Sequence, residues 1–163
     1  MKKIIVICII LGLTSCSLLG NIIDNTIYNL LEDVEFYDFA DYDLTGITNF
    51  SEISYFVRED VSYGNDVIDE YYSVEETMKR GIADCEDFCF VFANLAYITM
   101  GVKMNIVVMN TSEWSRTVEE GGAGNHVVLE LNGVYYSGQY GNRTSVEHVL
   151  YRYTFDEIFV GGY

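Results

Sequence analysis

The sequence contains no proline and few positively charged residues. Its 163 residues include 9 Lys and Arg against 25 Asp and Glu, which gives a formal net charge of -16 at pH 7. A surface this acidic repels the phosphates of nucleic acids and of anionic lipids, so we exclude nucleic acid as a partner. Because proline is absent, turns must be formed by Gly, Asn, Asp and Ser.

The chain also has no apolar run of the length that a membrane-spanning helix needs, about 20 residues. The run from Ile4 to Leu13 is too short, and it follows Lys2 and Lys3. This pattern is typical of an export signal, here residues 1–15. The segment Leu13-Thr14-Ser15-Cys16 resembles the bacterial lipobox, in which the cysteine is lipidated. We expect Cys16 to anchor the protein by lipid to the cell envelope, on the periplasmic face or the outer-membrane surface. An ordinary signal peptide with an incidental cysteine is the alternative.

The remaining chain is predicted to divide into a tether and one domain. Residues 16–46 are expected to be the lipidated tether, with an amphipathic helix from Asn21 to Leu31. Residues 47–163 are expected to form the domain, because a chain that is 50% hydrophobic and 15% aromatic has ample material for a core.

Only two cysteines, Cys85 and Cys89, remain for this domain if Cys8 leaves with the signal and Cys16 carries lipid. Their spacing places them one turn apart on a helix with parallel side chains, a poor geometry for a disulfide. Cys85 falls in the first turn of a helix predicted between Asp84 as N-cap and Gly101 as the terminating glycine. Backbone N–H groups at this helix start favour a thiolate, so Cys85 is the candidate nucleophile. Cys89 is expected to pack as a small hydrophobic residue.

The helix after Asp84 is apolar on nearly every side, which indicates a buried central helix. Helices are also predicted over 49–61 and 74–80, the second between the capping box Ser73-x-x-Glu76 and Gly81. We predict a buried strand over 102–109, a flap-like loop over 111–124, and two short helices over 144–153 and 154–160.

Asn132-Gly133 predicts a β-hairpin that joins His126–Leu131 to Val134–Gln139. A two-residue turn sets residue 131 opposite 134, and the same register continued outward sets His126 opposite Gln139. Gln139 would then accept a hydrogen bond from the imidazole of His126 and orient it toward Cys85.

Several short motifs resemble the core of the bacterial transglutaminase-like cysteine peptidases, over roughly residues 49–142. They are Tyr72-Ser-Val-Glu75-Glu76-Thr77, Gly81, Asp84-Cys85-Glu86-Asp87, Gly101, Asn125-His126 and Asn132-Gly133-Val-Tyr135. The resemblance implies an α+β, papain-like fold in which the nucleophile helix packs on an antiparallel sheet. It implies that Cys85 is the nucleophile and His126 the base, while Gln139 stands where the family usually has Asp.

The implied activity is acyl transfer on amide bonds of envelope or surface polypeptides, without a required cofactor. Water as acceptor gives a cysteine peptidase or amidohydrolase, and an amine gives crosslinking. A neutral Gln139 stabilises imidazolium less than a carboxylate does. The alternative is therefore a catalytically weak or inactive lipoprotein that uses the same scaffold for binding.

The acids around Cys85 have two interpretations. Asp84, Glu86 and Asp87 would together hold calcium, as in some members of the resembled family, or they serve as cap, helix partner and solvated side chain. Their charges oppose the formation of a thiolate. A metal set of Cys85, Cys89 and His126 lacks a fourth ligand. His148 is expected to be structural, while Tyr63 and Tyr72 are candidates for lining the cleft or for core packing.

Overall fold

The structure is a computed structural model that describes residues 34–64, 72–110, 125–146 and 148–160. Contacts divide the chain between Leu31 and Glu32, and every described residue belongs to the second part. The predicted signal, Cys16, the helix at 21–31 and the flap at 111–124 lie outside the described residues. Among the helices that the structure describes, none is both long enough and apolar enough to cross a membrane.

The described chain is a mixed α+β fold built on a five-stranded sheet in which every neighbouring pair is antiparallel. The strand order is β7-β6-β5-β4-β8. The five strands are β4 (Asn105–Asn110), β5 (Asn125–Leu131), β6 (Val134–Tyr136), β7 (Arg143–Thr144) and β8 (Val149–Tyr153). The α+β class and the antiparallel sheet agree with the sequence prediction.

Two parallel pairs of two-residue strands complete the β-structure of the described residues. They are β1 (Val34–Glu35) with β9 (Phe159–Val160), and β2 (Ser62–Tyr63) with β3 (Ile82–Ala83). The helices are α1 (Phe50–Asp60), α2 (Val74–Arg80), α3 (Cys85–Met100) and α4 (Phe155–Ile158).

Helix α3 is the centre of the core, as its pattern predicts. Every residue from Glu86 to Ala96 is buried, and the helix contacts α1, α2 and strand β5. Gly101 ends it in the left-handed conformation, with φ of 67°. Asp84 occupies the N-cap position, but its side chain makes no capping hydrogen bond to this helix.

The segment before α1 packs on α3. The buried side chain of Asn94 accepts a hydrogen bond from Tyr37 N at 3.1 Å and donates one to Tyr37 O at 2.7 Å. Phe39 is 1% exposed and lies between aromatic neighbours that include Tyr42 and Phe56. Residues 34–46, which the sequence analysis assigned to the tether, are therefore part of the folded unit.

The helix predicted over 144–153 is wrong. Residues 143–144 and 149–153 are strands, and β8 pairs with β4 from Ile106 opposite Tyr153 to Met109 opposite Val149. The alternating Val149, Tyr151 and Tyr153 suit a strand, and β4 needs a second partner at its free edge. By contrast, a helix does form within the predicted range 154–160. It spans Phe155–Ile158, Thr154 and Glu157 form a capping box at its start, and residues 159–160 are strand β9.

The predicted hairpin is confirmed at its turn. Asn132 and Gly133 both have positive φ, and residue 131 pairs with 134, 130 with 135 and 129 with 136. Hydrogen-bonded pairs alternate with non-hydrogen-bonded pairs in an antiparallel ladder. Val127 and Gly138 would therefore form the next hydrogen-bonded pair after Leu129 and Tyr136.

The thiol of Cys89 replaces that backbone pair. The thiol donates a hydrogen bond to Val127 O, which lies 3.4 Å from the sulfur. The sulfur also accepts a hydrogen bond from the backbone of Gly138. This second bond lowers the pKa of Cys89, but burial raises that pKa by more. The sulfur thus lies between the two arms of the hairpin and keeps them apart at this end.

The extension of the hairpin to a pair of His126 and Gln139 is consequently wrong. Residues 138–140 form a turn, and Gln139 O accepts a hydrogen bond from the Ser54 hydroxyl of α1 at 2.9 Å. At the other edge of β5, His126 is opposite Met109 of β4. The register argument fails because helix α3 occupies the space that a longer ladder would need.

We predict that Gly138→Ala destabilises the fold. An added Cβ would lie 2.7 Å from Cys89 Sγ and 2.8 Å from Cys89 N, so the hairpin would have to move away from α3. We expect a loss of about 1–3 kcal/mol in the free energy of unfolding, measured by urea denaturation. Gly64→Ala is the matched control, because its closest contact would be Cγ2 of Ile82, a side chain that is 47% exposed. Equal losses in the two variants would contradict the close packing of Gly138 on Cys89.

Candidate functional site

Cys85 is the first residue of α3 and lies against the edge of β5. Its side chain is partly buried, and the backbone N–H of Val127 donates a hydrogen bond toward the sulfur. That N–H is available because β6 ends before it reaches this part of β5. The thiol donates to Glu86 Oε2 at 3.2 Å.

His126 precedes Val127 on β5 and belongs to the same site. Burial lowers the pKa of its imidazole, while the negative charge of Asp84 acts in the opposite direction. Cys85 thus contacts the backbone of the residue that follows His126, and the charge of Asp84 acts on both side chains. Gln139, the third predicted member, lies in the turn described above.

The two acids next to Cys85 form a coupled pair. Glu86 is 7% exposed. The pKa of Glu86 is raised to about 8. Burial is the largest cause, and the hydrogen bond to the Asp84 carboxylate and the repulsion from its charge add to it. Glu86 is therefore largely protonated at neutral pH and shares its proton with Asp84.

This environment opposes a thiolate at Cys85. Burial raises the pKa of the thiol well above its usual value. Glu86, by its charge once it is ionised and by accepting the hydrogen bond of the thiol, and the charge of Asp84 raise this pKa further. The Val127 N–H acts in the opposite direction but does not outweigh them. The helix dipole, worth roughly 0.3–1 kcal/mol, is too weak to reverse the effect of burying a charge.

The arrangement of the acids bears on the calcium interpretation. One ligand atom each from Asp84, Cys85 and Glu86 lies within 4.8 Å of the others. Asp87 is not part of this group, and its Oδ1 accepts a hydrogen bond from Tyr72 N at 3.3 Å. Calcium takes six to eight oxygen ligands, whereas the described group offers two carboxylates and a sulfur. The group therefore fits that ion poorly, and the calcium interpretation stays a prediction.

Two exposed tyrosines are electrostatic neighbours of each other, and one of them, Tyr63, is a neighbour of Cys85. Tyr63 is 51% exposed and Tyr140 is 52% exposed. Burial of its inner part raises the pKa of Tyr63 to about 12, and the charges of Cys85, Asp84 and Glu86 contribute. Tyr63 is therefore a neighbour of the thiol. Tyr72, the other tyrosine considered, lies under the guanidinium of Arg80, which is 3.4 Å from its ring centroid.

Sequence reasoning missed the role of Val127 and Gly138. A signal was present, because a glycine in a predicted strand often marks close approach of another backbone, and the hairpin register places Gly138 opposite Val127. His148, predicted to lie in a helix, is exposed and precedes β8.

Comparison of the chain with models of known protein families, with curated proteins and with solved structures finds no match in any of the three. The resemblance to transglutaminase-like peptidases therefore rests on the motifs alone.

We predict that Glu86→Gln accelerates alkylation of Cys85. The substitution removes a negative charge and the carboxylate acceptor beside the thiol, so the pKa of Cys85 should fall and iodoacetamide should react several-fold faster between pH 8 and 9. Fragment masses of the peptide that contains both thiols separate Cys85 from Cys89. Asp87→Asn is the matched control, because its carboxylate bonds to Tyr72 N. An unchanged rate in Glu86→Gln would refute the electrostatic effect of Glu86 on the thiol.

We also predict that Glu86 makes stability depend on pH. Its pKa is about 8 in the fold against 4.5 for the free side chain, so the folded state keeps a proton that the unfolded chain releases. Stability from this group is therefore present below pH 4.5 and is lost as pH rises to about 8, by roughly 1.4 kcal/mol for each unit of raised pKa.

Urea unfolding at pH 5 and pH 9 tests this sign. The advantage of Glu86→Gln over the wild type should grow by a few kcal/mol between the two pH values. Glu76→Gln, at an exposed position in the first turn of α2, should show no such growth. A constant difference between Glu86→Gln and the wild type would contradict the raised pKa.

Proposed function

We propose that this protein is a membrane-anchored thiol enzyme of the transglutaminase-like kind, with a papain-like core, and that it transfers acyl groups from amide bonds of polypeptides at the cell envelope. The observation that carries the proposal is the meeting of Cys85, at the start of the buried helix, with the strand that bears His126. A nucleophile and base on separate elements of a rigid core is the arrangement that covalent catalysis requires.

In this proposal Cys85 attacks the amide carbonyl and its proton passes to His126. Burial lowers the pKa of His126, so the imidazole is neutral and able to accept the proton near pH 7. The imidazolium then donates the proton to the leaving amine. Water or a second amine releases the acyl group from sulfur.

Asp84 supplies the negative charge that Gln139 lacks. Its carboxylate acts on the imidazole of His126 in the direction that favours imidazolium. Glu86, protonated at neutral pH, shares its proton with Asp84 and adds no charge of its own at the sulfur. The protein would therefore work best below about pH 8, where Glu86 keeps its proton.

A catalytically weak or inactive binding lipoprotein is the second candidate. The raised pKa of the Cys85 thiol and the turn that carries Gln139 away from the ladder favour it. In that case the same cleft would hold a polypeptide without cleaving it.

A peptidyl vinyl sulfone probe, which adds to an activated thiol, separates the two functions. We expect Cys85 of the full chain to react far faster than free cysteine, and His126→Ala to slow the reaction about 100-fold or more. His148→Ala is the matched control, because this second histidine is exposed. Labelling no faster than that of a simple thiol would favour the binding lipoprotein. Release of peptide fragments or incorporation of an added amine then distinguishes hydrolysis from crosslinking.

A further inference from the structure

Two of the exposed aromatic side chains belong to the site rather than to the general surface. The described residues include six large hydrophobic side chains that are more than 40% exposed: Tyr55, Tyr63, Ile82, Tyr140, Val149 and Leu150. The hydroxyl of Tyr63 lies within electrostatic reach of Cys85 and also of Tyr140. These two rings and the sulfur therefore share one neighbourhood.

Tyr63 is held at a fixed place beside the thiol. Strand β2 pairs with β3 so that Tyr63 is opposite Ala83, two residues before Cys85. The Tyr63 ring stacks on the buried Phe88 of α3, with centroids 6.2 Å apart and an interplanar angle of 12°. One face of the ring thus packs against the helix, and the residue is 51% exposed.

Tyr140 is held in place by the contacts that its turn makes with α3 and α1. Its turn follows Gly138, which contacts Cys89, and the Ser54 hydroxyl holds Gln139 O at 2.9 Å. The guanidinium of Arg58 lies 5.3 Å from the Tyr140 ring centroid. Separate elements therefore place two partly exposed rings near the first turns of α3, within electrostatic reach of each other.

We propose that Tyr63 and Tyr140 form a subsite for an aromatic or aliphatic side chain of the polypeptide whose amide Cys85 attacks. The inference rests on the proposed thiol chemistry and names its substrate class. Rigid aromatic walls bury an apolar side chain at low entropic cost, and an aromatic pair adds an amount that corresponds to about a 2- to 10-fold gain in binding.

The negative charge near the thiol further restricts which substrate side chains the subsite can accept. The carboxylate of Asp84 lies beside the thiol, and the whole chain has a net charge of -16. An acidic side chain near the reacting amide would be repelled, so the substrate segment should be apolar and neutral or basic.

Vinyl sulfone probes that differ only in the side chain next to the electrophile test this subsite on the full chain. We expect a probe with Phe to label Cys85 about 2- to 10-fold faster than one with Ala, and a probe with Glu to be slowest. Tyr63→Ala should remove the preference, so that the Phe and Ala probes label Cys85 at similar rates. Tyr55→Ala is the matched control, because Tyr55 is 62% exposed on α1.

Each outcome has a separate meaning. If wild-type Cys85 reacts fast but shows no preference for Phe, or if Tyr63→Ala keeps the preference, the subsite is wrong and the thiol chemistry survives. If no probe labels Cys85 faster than free cysteine, the thiol chemistry is wrong. The subsite can then still be tested by calorimetry of peptide binding to Cys85→Ala. The subsite requires a Phe-containing peptide amide to bind more tightly than its Ala counterpart. Equal binding of the two peptides would overturn the subsite.

Discussion

The open end of one β-hairpin determines where everything else in this fold can lie. Strands β5 and β6 pair through Leu129 and Tyr136 and then separate, because the sulfur of Cys89 bonds to Val127 O. The opening lets the first turns of α3 rest directly on strand backbone. It also leaves the Val127 N–H available to the neighbouring thiol, Cys85. A sheet edge that would otherwise be unsatisfied is thus completed by a helix.

The two cysteines show how strongly position on a helix controls the use of a thiol. Cys89, one turn further along the helix, is fully buried, and its sulfur separates the two arms of the β5–β6 hairpin. Cys85, at the helix start, is partly buried and lies next to two acids. The spacing of four residues lets both thiols contact the same residue of β5, Val127, through its C=O and its N–H. A fully buried thiol and a partly buried thiol therefore contact the same residue of one strand.

Local patterns predicted much of this fold. Helices α1, α2 and α3, the glycines that end α2 and α3, and the hairpin turn all follow from caps and periodicity, which depend on neighbouring residues. The segment 144–153 was mispredicted because its residues suit a strand or a helix, and the free edge of β4 decided between them. The pairing of Gln139 was mispredicted for a related reason. The register of a hairpin is inferred from its turn alone, and the turn does not indicate that a helix inserts between the strands. In the site, Cys85 and His126 could be chosen by residue type, but the pKa of the thiol depends on tertiary burial.

The charges at the site constrain any chemistry more tightly than the motif does. Ionised Asp84, Glu86 and Cys85 would bring three negative charges within 4.8 Å of one another, an arrangement that the buried surroundings oppose. One proton must therefore remain on Glu86 when the thiol loses its own. The lost proton needs a neutral base with an anion nearby, and His126 beside Asp84 meets both conditions. In the proposed mechanism, Asp84, rather than a residue on the hairpin, therefore supplies the negative charge that the neutral Gln139 lacks.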